Sequence, residues 1–258
     1  MMTDVRIGTS GYSFQDWKGR FYPSNIPDGK MLLHYVKHFA CAEVNSTYYR
    51  IPHPKVFHHM VQKVPENFEF IIKVHSDVTH KREKPESSLD ELALAIQPAV
   101  DKDMFCGYLA QFPYSFKNKQ LNRQYLACLS QLTDQRPLFV EFRHVSWATP
   151  PLYDFLRKHH LHYVNVDEPA LTNLLPPQTI TTSETGYVRF HGRNIAAWWN
   201  KNKGDRYDYL YSQEELASWQ EDLHGMFDRV KKLYLFFNNC YHGQAAQNAL
   251  EMKTLFDI

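Results

Sequence analysis

The feature that most constrains this chain is a regular alternation along its length. Short apolar or β-rich segments recur at 5–10 (VRIGTS), 41–49 (CAEVNSTYY), 68–75 (FEFIIKVH), 105–112 (FCGYLAQF), 138–144 (LFVEFRH), 162–167 (HYVNVD), 187–192 (YVRFHG) and 233–239 (LYLFFNN). Between them, apolar residues fall at the i, i+3, i+4, i+7 spacing that gives a helix one buried face. Leu32, Tyr35, Val36 and Phe39 make one such stripe, and Leu89, Leu92, Ala93, Ile96 and Val100 another. A third comprises Leu121, Tyr125, Cys128, Leu129 and Leu132, and a fourth Leu216, Trp219, Leu223, Met226, Phe227 and Val230. Ser88 with Glu91 and Ser212 with Glu215 have the spacing of capping boxes, and weaker helical stretches follow Pro54, Pro150 and Gly243. After the sixth segment, EPALTNLLPPQTITTSET is interrupted by three prolines and carries the weakest helical signal. Strand then helix, repeated to eight strands within 258 residues, predicts a (β/α)8 TIM-like barrel, with 1–258 as a single domain. An open doubly wound sheet is the alternative.

In a barrel, alternate strand residues point inward, and reactive groups come from the C-terminal strand ends and the loops beyond them. Polar residues gather at those ends here: Glu43 and Asn45, Lys73 and His75, Gln111, Glu141 and Arg143, Asp167, Arg189 and His191, Asn238 and Asn239. Several are spaced by two, as one face of a strand requires. In the stretch YVRFHGRN, Val188 and Phe190 should therefore face the helices, while Arg189 and His191 face the mouth, where their charge is expected to be partly solvated. The competing reading is a polar plug, in which Glu141, Arg143, Arg189 and Asp167 neutralise one another as packing.

Lys and Arg total 29 against 28 for Asp and Glu, so no global field draws the chain to nucleic acid or to anionic lipid. Any anion binding must be local. The start MMTDVRIGTS has no apolar leader core, and no apolar run reaches membrane-spanning length, so a soluble cytoplasmic protein with no membrane partner is expected. No obligate protein partner is evident. Cys41, Cys106, Cys128 and Cys240 stand singly among apolar neighbours and are expected as buried thiols.

GTSGYSFQDWKGRFYP, EVNSTYYRIP, THK, LAQFPYSF, EFRHVSW, YVRFHGRN, RYDYLYSQEEL and LFFNNCYHGQAAQNA follow in this order. Together they resemble the YecE-like family, known as domain of unknown function 72, and the resemblance covers essentially the whole chain. It implies a TIM-like barrel and brings no settled function. The family pattern Gly-Trp-Ser-Tyr in the first motif is replaced here by aromatic Tyr12 and Phe14, which keeps an aromatic wall and loses an indole N–H.

The candidate site follows from the strand ends. Glu43 or Glu141 would serve as base and His191 as acid, with Asp167 the third carboxylate at the mouth; an ionised carboxylate beside a cation suits a base, and imidazole titrates near neutrality. Arg143, Arg189 and Arg193 would hold an anion, since guanidinium forks suit phosphate, and Asn45, Lys73, Asn238 and Asn239 would contact the substrate. A phosphate is expected near Arg189, Arg193 and the helix opening at Gly243, with the loop lysines Lys201 and Lys203 on the same side. A cluster of Glu43, Glu141, Asp167 and His191 can be drawn around a metal, but there is no H-x-H or H-E-x-x-H spacing and the neighbouring cations oppose one, so no metal is assigned. No motif names a cofactor. The leading function is an enzyme of hydrolase or lyase type acting on an anionic, phosphate-bearing small molecule. The alternatives are a non-catalytic nucleic-acid or nucleotide binding module and a carbohydrate-active barrel. Trp17 and Trp147 are expected in a satellite core beneath the loops; of the adjacent Trp198 and Trp199, one should be exposed.

Overall fold

All eight expected strands form, and every pairing between them is parallel. The computed structural model describes residues 3–200 and 205–258, so Lys201 and Lys203 lie outside the described residues. The strand segments are β1 (Asp4–Thr9), β2 (Cys41–Val44), β3 (Glu69–Lys73), β4 (Phe105–Gln111), β5 (Leu138–Glu141), β6 (Leu161–Tyr163), β7 (Asn165–Asp167), β8 (Thr185–Phe190) and β9 (Lys232–Phe237). They run in the orders β2-β3-β4-β5-β6 and β7-β8-β9-β1. β6 and β7 are halves of one strand either side of Val164, whose N–H donates to the Val140 carbonyl at 3.0 Å. At the other seam Ser10 bridges to Glu43, and the Gly11 N–H donates to the Glu43 carbonyl at 3.0 Å. The two sheets thus close into the (β/α)8 TIM-like barrel that the alternation predicts.

The helices are α1 (Met31–Tyr35), α2 (Pro54–Val61), α3 (Pro85–Val100), α4 (Gln120–Leu132), α5 (Pro150–Lys158), α6 (Gln213–Phe227) and α7 (Gln244–Leu255). Ser212 caps α6 as expected, accepting from the Glu215 N–H at 3.3 Å while its own N–H donates to Glu215 Oε2 at 2.9 Å. The box expected at Ser88 does not form. α3 begins one turn earlier, at Pro85, because proline suits the first helical position, and Ser88 is buried inside the helix. Between β7 and β8 no α-helix forms among the described residues, as the prolines of 168–184 foretell. Cys41 is buried, but Cys128 is exposed, on the solvent side of α4, and corrects the expectation of four buried thiols. No helix among the described residues is long and apolar enough to cross a membrane.

Alternation divides every strand between two cores. Inside the barrel, Cys41, Ile71, Leu109, Phe139, Val164, Tyr187, Tyr234 and Phe236 form one apolar cluster. Gly8 completes it, since a Cβ there would come within 2.5 Å of the Cys41 carbonyl and 3.1 Å of Phe236. Outside, Val188, Phe190, Leu235 and Phe237 join the helix-facing core. Phe190 stacks on Phe237 at 4.5 Å and meets Trp219 of α6 edge-on. The apolar layer separates two polar ends, and the C-terminal end is the mouth.

Candidate active site

On seven of the eight strands, the residue two places beyond the last interior position reaches the mouth. Ser10, Glu43, Lys73, Gln111, Glu141, Arg189 and Asn238 follow Gly8, Cys41, Ile71, Leu109, Phe139, Tyr187 and Phe236 in this way. Arg189 is the hub. Its Nε donates to Glu43 Oε1 at 2.8 Å, its Nη2 to Glu43 Oε2 at 2.8 Å and to Ser10 Oγ at 3.1 Å, and its Nη1 to Glu141 Oε2 at 2.5 Å. Tyr187 adds its hydroxyl to Glu43. Arg189 is only 1% exposed, so the expectation of a partly solvated guanidinium is corrected: two buried carboxylates consume it, and no face is left for an external anion.

A second tier lies above. Arg143 places Nη1 at 2.9 Å from Glu168 Oε2 and Nη2 at 2.7 Å from Glu141 Oε1. His191 Nε2 stands 3.2 Å from that same Glu141 oxygen, and its Nδ1 faces Asn238 Nδ2 at 2.9 Å. Although these contacts are close, their angles leave Glu141 Oε1 and His191 Nε2 without a directed hydrogen bond. Burial and the neighbouring Arg143 push the His191 imidazole down to about 3, so it is neutral at pH 7. Despite burial, the two guanidiniums and His191 hold Glu141 well below the usual carboxylate range. Burial lifts Glu168 to about 7, against the pull of Arg143.

Lys73 behaves differently from the arginines. Its Nζ donates to Gln111 Oε1 at 2.8 Å and lies 4.7 Å from the centre of the Tyr48 ring, and it makes no ion pair with a described carboxylate. Burial, helped by the positive charge of Arg189, lowers its amine to about 7. Lys73 lines a cavity of 440 Å³ that also takes in Glu43, Asn45, Tyr12, Phe14 and Asn238. Tyr12 and Phe14 thus form an aromatic wall at the first motif. The GTSG turn lends the cavity backbone but no free Gly11 N–H, which is already bonded to the carbonyls of Thr9 and Glu43.

The geometry invites comparison with known proteins, and a family profile described as "Protein of unknown function DUF72" matches residues 6–258. The chain belongs to the DUF72 family. It is 30% identical over 272 residues to the UPF0759 protein YunF of Bacillus subtilis (strain 168), covering 98% of this chain and 95% of that one. Among solved structures it is similar to a DUF72 family protein of Thermotoga maritima, with 41% identity, a TM-score of 0.92 and 99% and 100% of the two chains covered. A DUF72 family protein of Enterococcus faecalis V583 gives 27% identity and a TM-score of 0.88 over 98% and 96% of the chains.

Not every expected site residue of this DUF72 chain is at the mouth. Asp167 pairs in register with Phe190, which puts it on the helix side of the barrel. There it accepts from Tyr211 Oη at 2.7 Å, Trp219 Nε1 at 2.5 Å and Arg193 Nη2 at 2.6 Å. Arg193 also bonds Glu215 at 2.8 Å. This partly buried cluster ties the loop after β8 to α6, and it removes both residues from the expected anion site. Asn239 likewise points outward, donating to the Tyr209 carbonyl at 2.8 Å and to Asn248 at 2.9 Å. At the start of the last helix, Asp16 accepts the His242 N–H at 2.8 Å, so a carboxylate occupies the place expected for phosphate. Asn45 is at the mouth, 3.3 Å from Glu43, with its Oδ1 unpartnered. Sequence reasoning missed Glu168 and Arg206. Glu168 is the inward neighbour of Asp167, and only the pairing with β8 shows which of two adjacent acids faces the barrel. Trp198 is 2% and Trp199 55% exposed, so the pair splits as expected, and Trp17 and Trp147 are buried. Among the described residues, no three His, Cys, Asp or Glu side chains gather as a metal ion requires.

Proposed function

We propose that this protein is an enzyme of the lyase type, acting on a small anionic carbonyl compound in the cavity at the barrel mouth, with the Lys73 amine as nucleophile. The observation that carries the reading is a lysine at the end of β3 whose amine is lowered to about 7 and which opens on a 440 Å³ cavity. A lysine desolvated beside another cation is partly neutral at physiological pH, and a neutral amine adds to carbonyls. The nitrogen lone pair would attack the carbonyl carbon; the oxygen would take one proton from the attacking amine and one from solvent and leave as water, and an iminium would remain. Electrons of an adjacent C–H bond, its proton passing to solvent, or of an adjacent C–C bond, the far carbon leaving as a carbonyl as its hydroxyl proton passes to solvent, then flow to the iminium nitrogen. Glu43 and Glu141 hold Arg189 in place, and Arg189 adds to burial in lowering the Lys73 amine. Because both carboxylates grip one guanidinium, neither stands free across a cleft in the way glycoside hydrolysis requires.

The test is reductive trapping. The protein would be incubated with borohydride and, in turn, pyruvate, glycolaldehyde phosphate or dihydroxyacetone phosphate, and the mass of the intact chain and its peptides measured. A stoichiometric adduct on Lys73 with at least one of these, absent in Lys73→Arg, is expected. Adducts spread over surface lysines, or none at Lys73 with any of the three, would overturn the reading.

A further inference from the structure

A second cavity, of 260 Å³, meets the first at Gln111, which lines both. Its walls include Arg143, Arg206, His80, Tyr114 and Trp198, and no described carboxylate lines it. We infer that this cavity is a phosphoryl-binding subsite, which would hold the phosphate of a substrate whose carbonyl reaches Lys73. The inference rests on reading the mouth as a substrate site and adds the class of substrate: a phosphorylated aldehyde or ketone.

The guanidinium carbons of Arg143 and Arg206 stand 5.9 and 5.4 Å from the centre of the Trp198 ring, which is almost fully buried and fixes both. Arg143 cannot swing away, because Glu141 and Glu168 grip its two terminal nitrogens, yet its Nε is buried and unpartnered. Among the described residues the Nε of Arg206 is also buried without a partner, and Arg206 makes no ion pair with them. Gln111 gives its oxygen to Lys73 and so keeps its amide N–H groups as donors. Two unpaired guanidinium N–H groups cost free energy unless a partner arrives. Gln111 at the end of β4, Arg143 after β5 and Arg206 in the loop after β8 thus bring donors from three segments to one cavity. A tetrahedral oxyanion with three free oxygens can accept all of them, whereas a planar carboxylate offers only two oxygens. The Lys73 amine and the anion site belong to different cavities, with Gln111 shared between them.

Arg189, Arg193 and the last helix, the elements from which the sequence suggested anion binding, take no part. The fixed donors come from Arg143, which the sequence named, and from Arg206, which it did not.

The experiment measures binding of inorganic phosphate by calorimetry to the wild-type protein, Arg206→Gln, Arg206→Lys and Lys73→Met, with acetate as a second probe and melting curves to establish that each variant is folded. Phosphate should bind the wild type and acetate should not. Arg206→Gln should weaken phosphate by about tenfold or more, the loss of a charge-assisted hydrogen bond, with Arg206→Lys between the two. Lys73→Met should change phosphate affinity by less than about threefold, because the amine stands in the other cavity. Equal phosphate binding by wild type and Arg206→Gln, or acetate bound as well as phosphate, overturns the subsite. Its failure is distinct from failure of the lyase reading: loss of the Lys73 adduct with phosphate binding intact removes the chemistry and keeps the subsite, and the reverse keeps the chemistry and removes the subsite.

Discussion

At the N-terminal end of the barrel Glu69 is held by Lys232 and by the Tyr234 hydroxyl at 2.7 Å, with Arg6 at 3.9 Å and paired in turn to Asp4 at 2.9 Å. At the C-terminal end, Arg189, Arg143, Glu43, Glu141, Glu168 and His191 use the same kinds of group. The first network leaves no buried side-chain atom unpartnered among the described residues, whereas the second leaves Asn45 Oδ1, Glu141 Oε1, Arg143 Nε and His191 Nε2 without a directed partner. A network that exists for packing is completed by the chain itself, because an unpaired buried polar group costs about 1–3 kcal/mol. One left incomplete beside a cavity has room for something else. Both readings of the charged strand ends are therefore partly realised. Arg189 with its two carboxylates is a plug, and Lys73 with the second-tier residues above it is the open part.

The comparison breaks most directly at Arg189. Arg189→Met would strand Glu43 and Glu141, both fully buried, and should cost about 3–5 kcal/mol. Thermal or urea unfolding measures it. A loss below about 1 kcal/mol would mean that water already reaches these carboxylates, and the plug would be no plug. The next effect is at the other end. Glu69→Ala should cost about 1–3 kcal/mol through the lost Tyr234 and Lys232 bonds, and should leave trapping at Lys73 unchanged. A fall in trapping would show that the two ends are coupled through the apolar layer.

The smallest effect is a pH dependence. The unfolded chain protonates His191 near 6.5, whereas the folded chain resists until about 3. Stability from this group is therefore full above pH 6.5 and is lost as pH falls through that value towards 3. Glu141, held low in the fold, adds a loss of the same sign below its ordinary range near 4.5. His162, lowered to about 4 by burial, contributes in the same direction, so the informative quantity is the difference between proteins. Wild type should lose about 1–2 kcal/mol more than His191→Asn between pH 7 and pH 5 in urea unfolding. At the other end Lys232 is raised by Glu69 and adds nothing in that window. Parallel profiles for the two proteins would place His191 in a wetter setting than its burial implies.

The barrel was legible in the sequence because its signals are local. A strand declares itself by alternation over about five residues and a helix by apolar spacing over three turns, and eight repeats of the pair leave few ways to bury every apolar face. The same alternation put Glu43, Lys73, Glu141, Arg143, Arg189, His191 and Asn238 on the inward face before any pairing was known. Tertiary structure decided which of them are free. Whether Asp167 or Glu168 faces the mouth depends on register with β8, and that Arg189 is consumed while Lys73 is not depends on carboxylates brought from β2 and β5, 146 and 48 residues away. Charge pairing, desolvation and the shape of a cavity are set by contacts between distant segments, and a sequence pattern with a period of two residues carries no information about them.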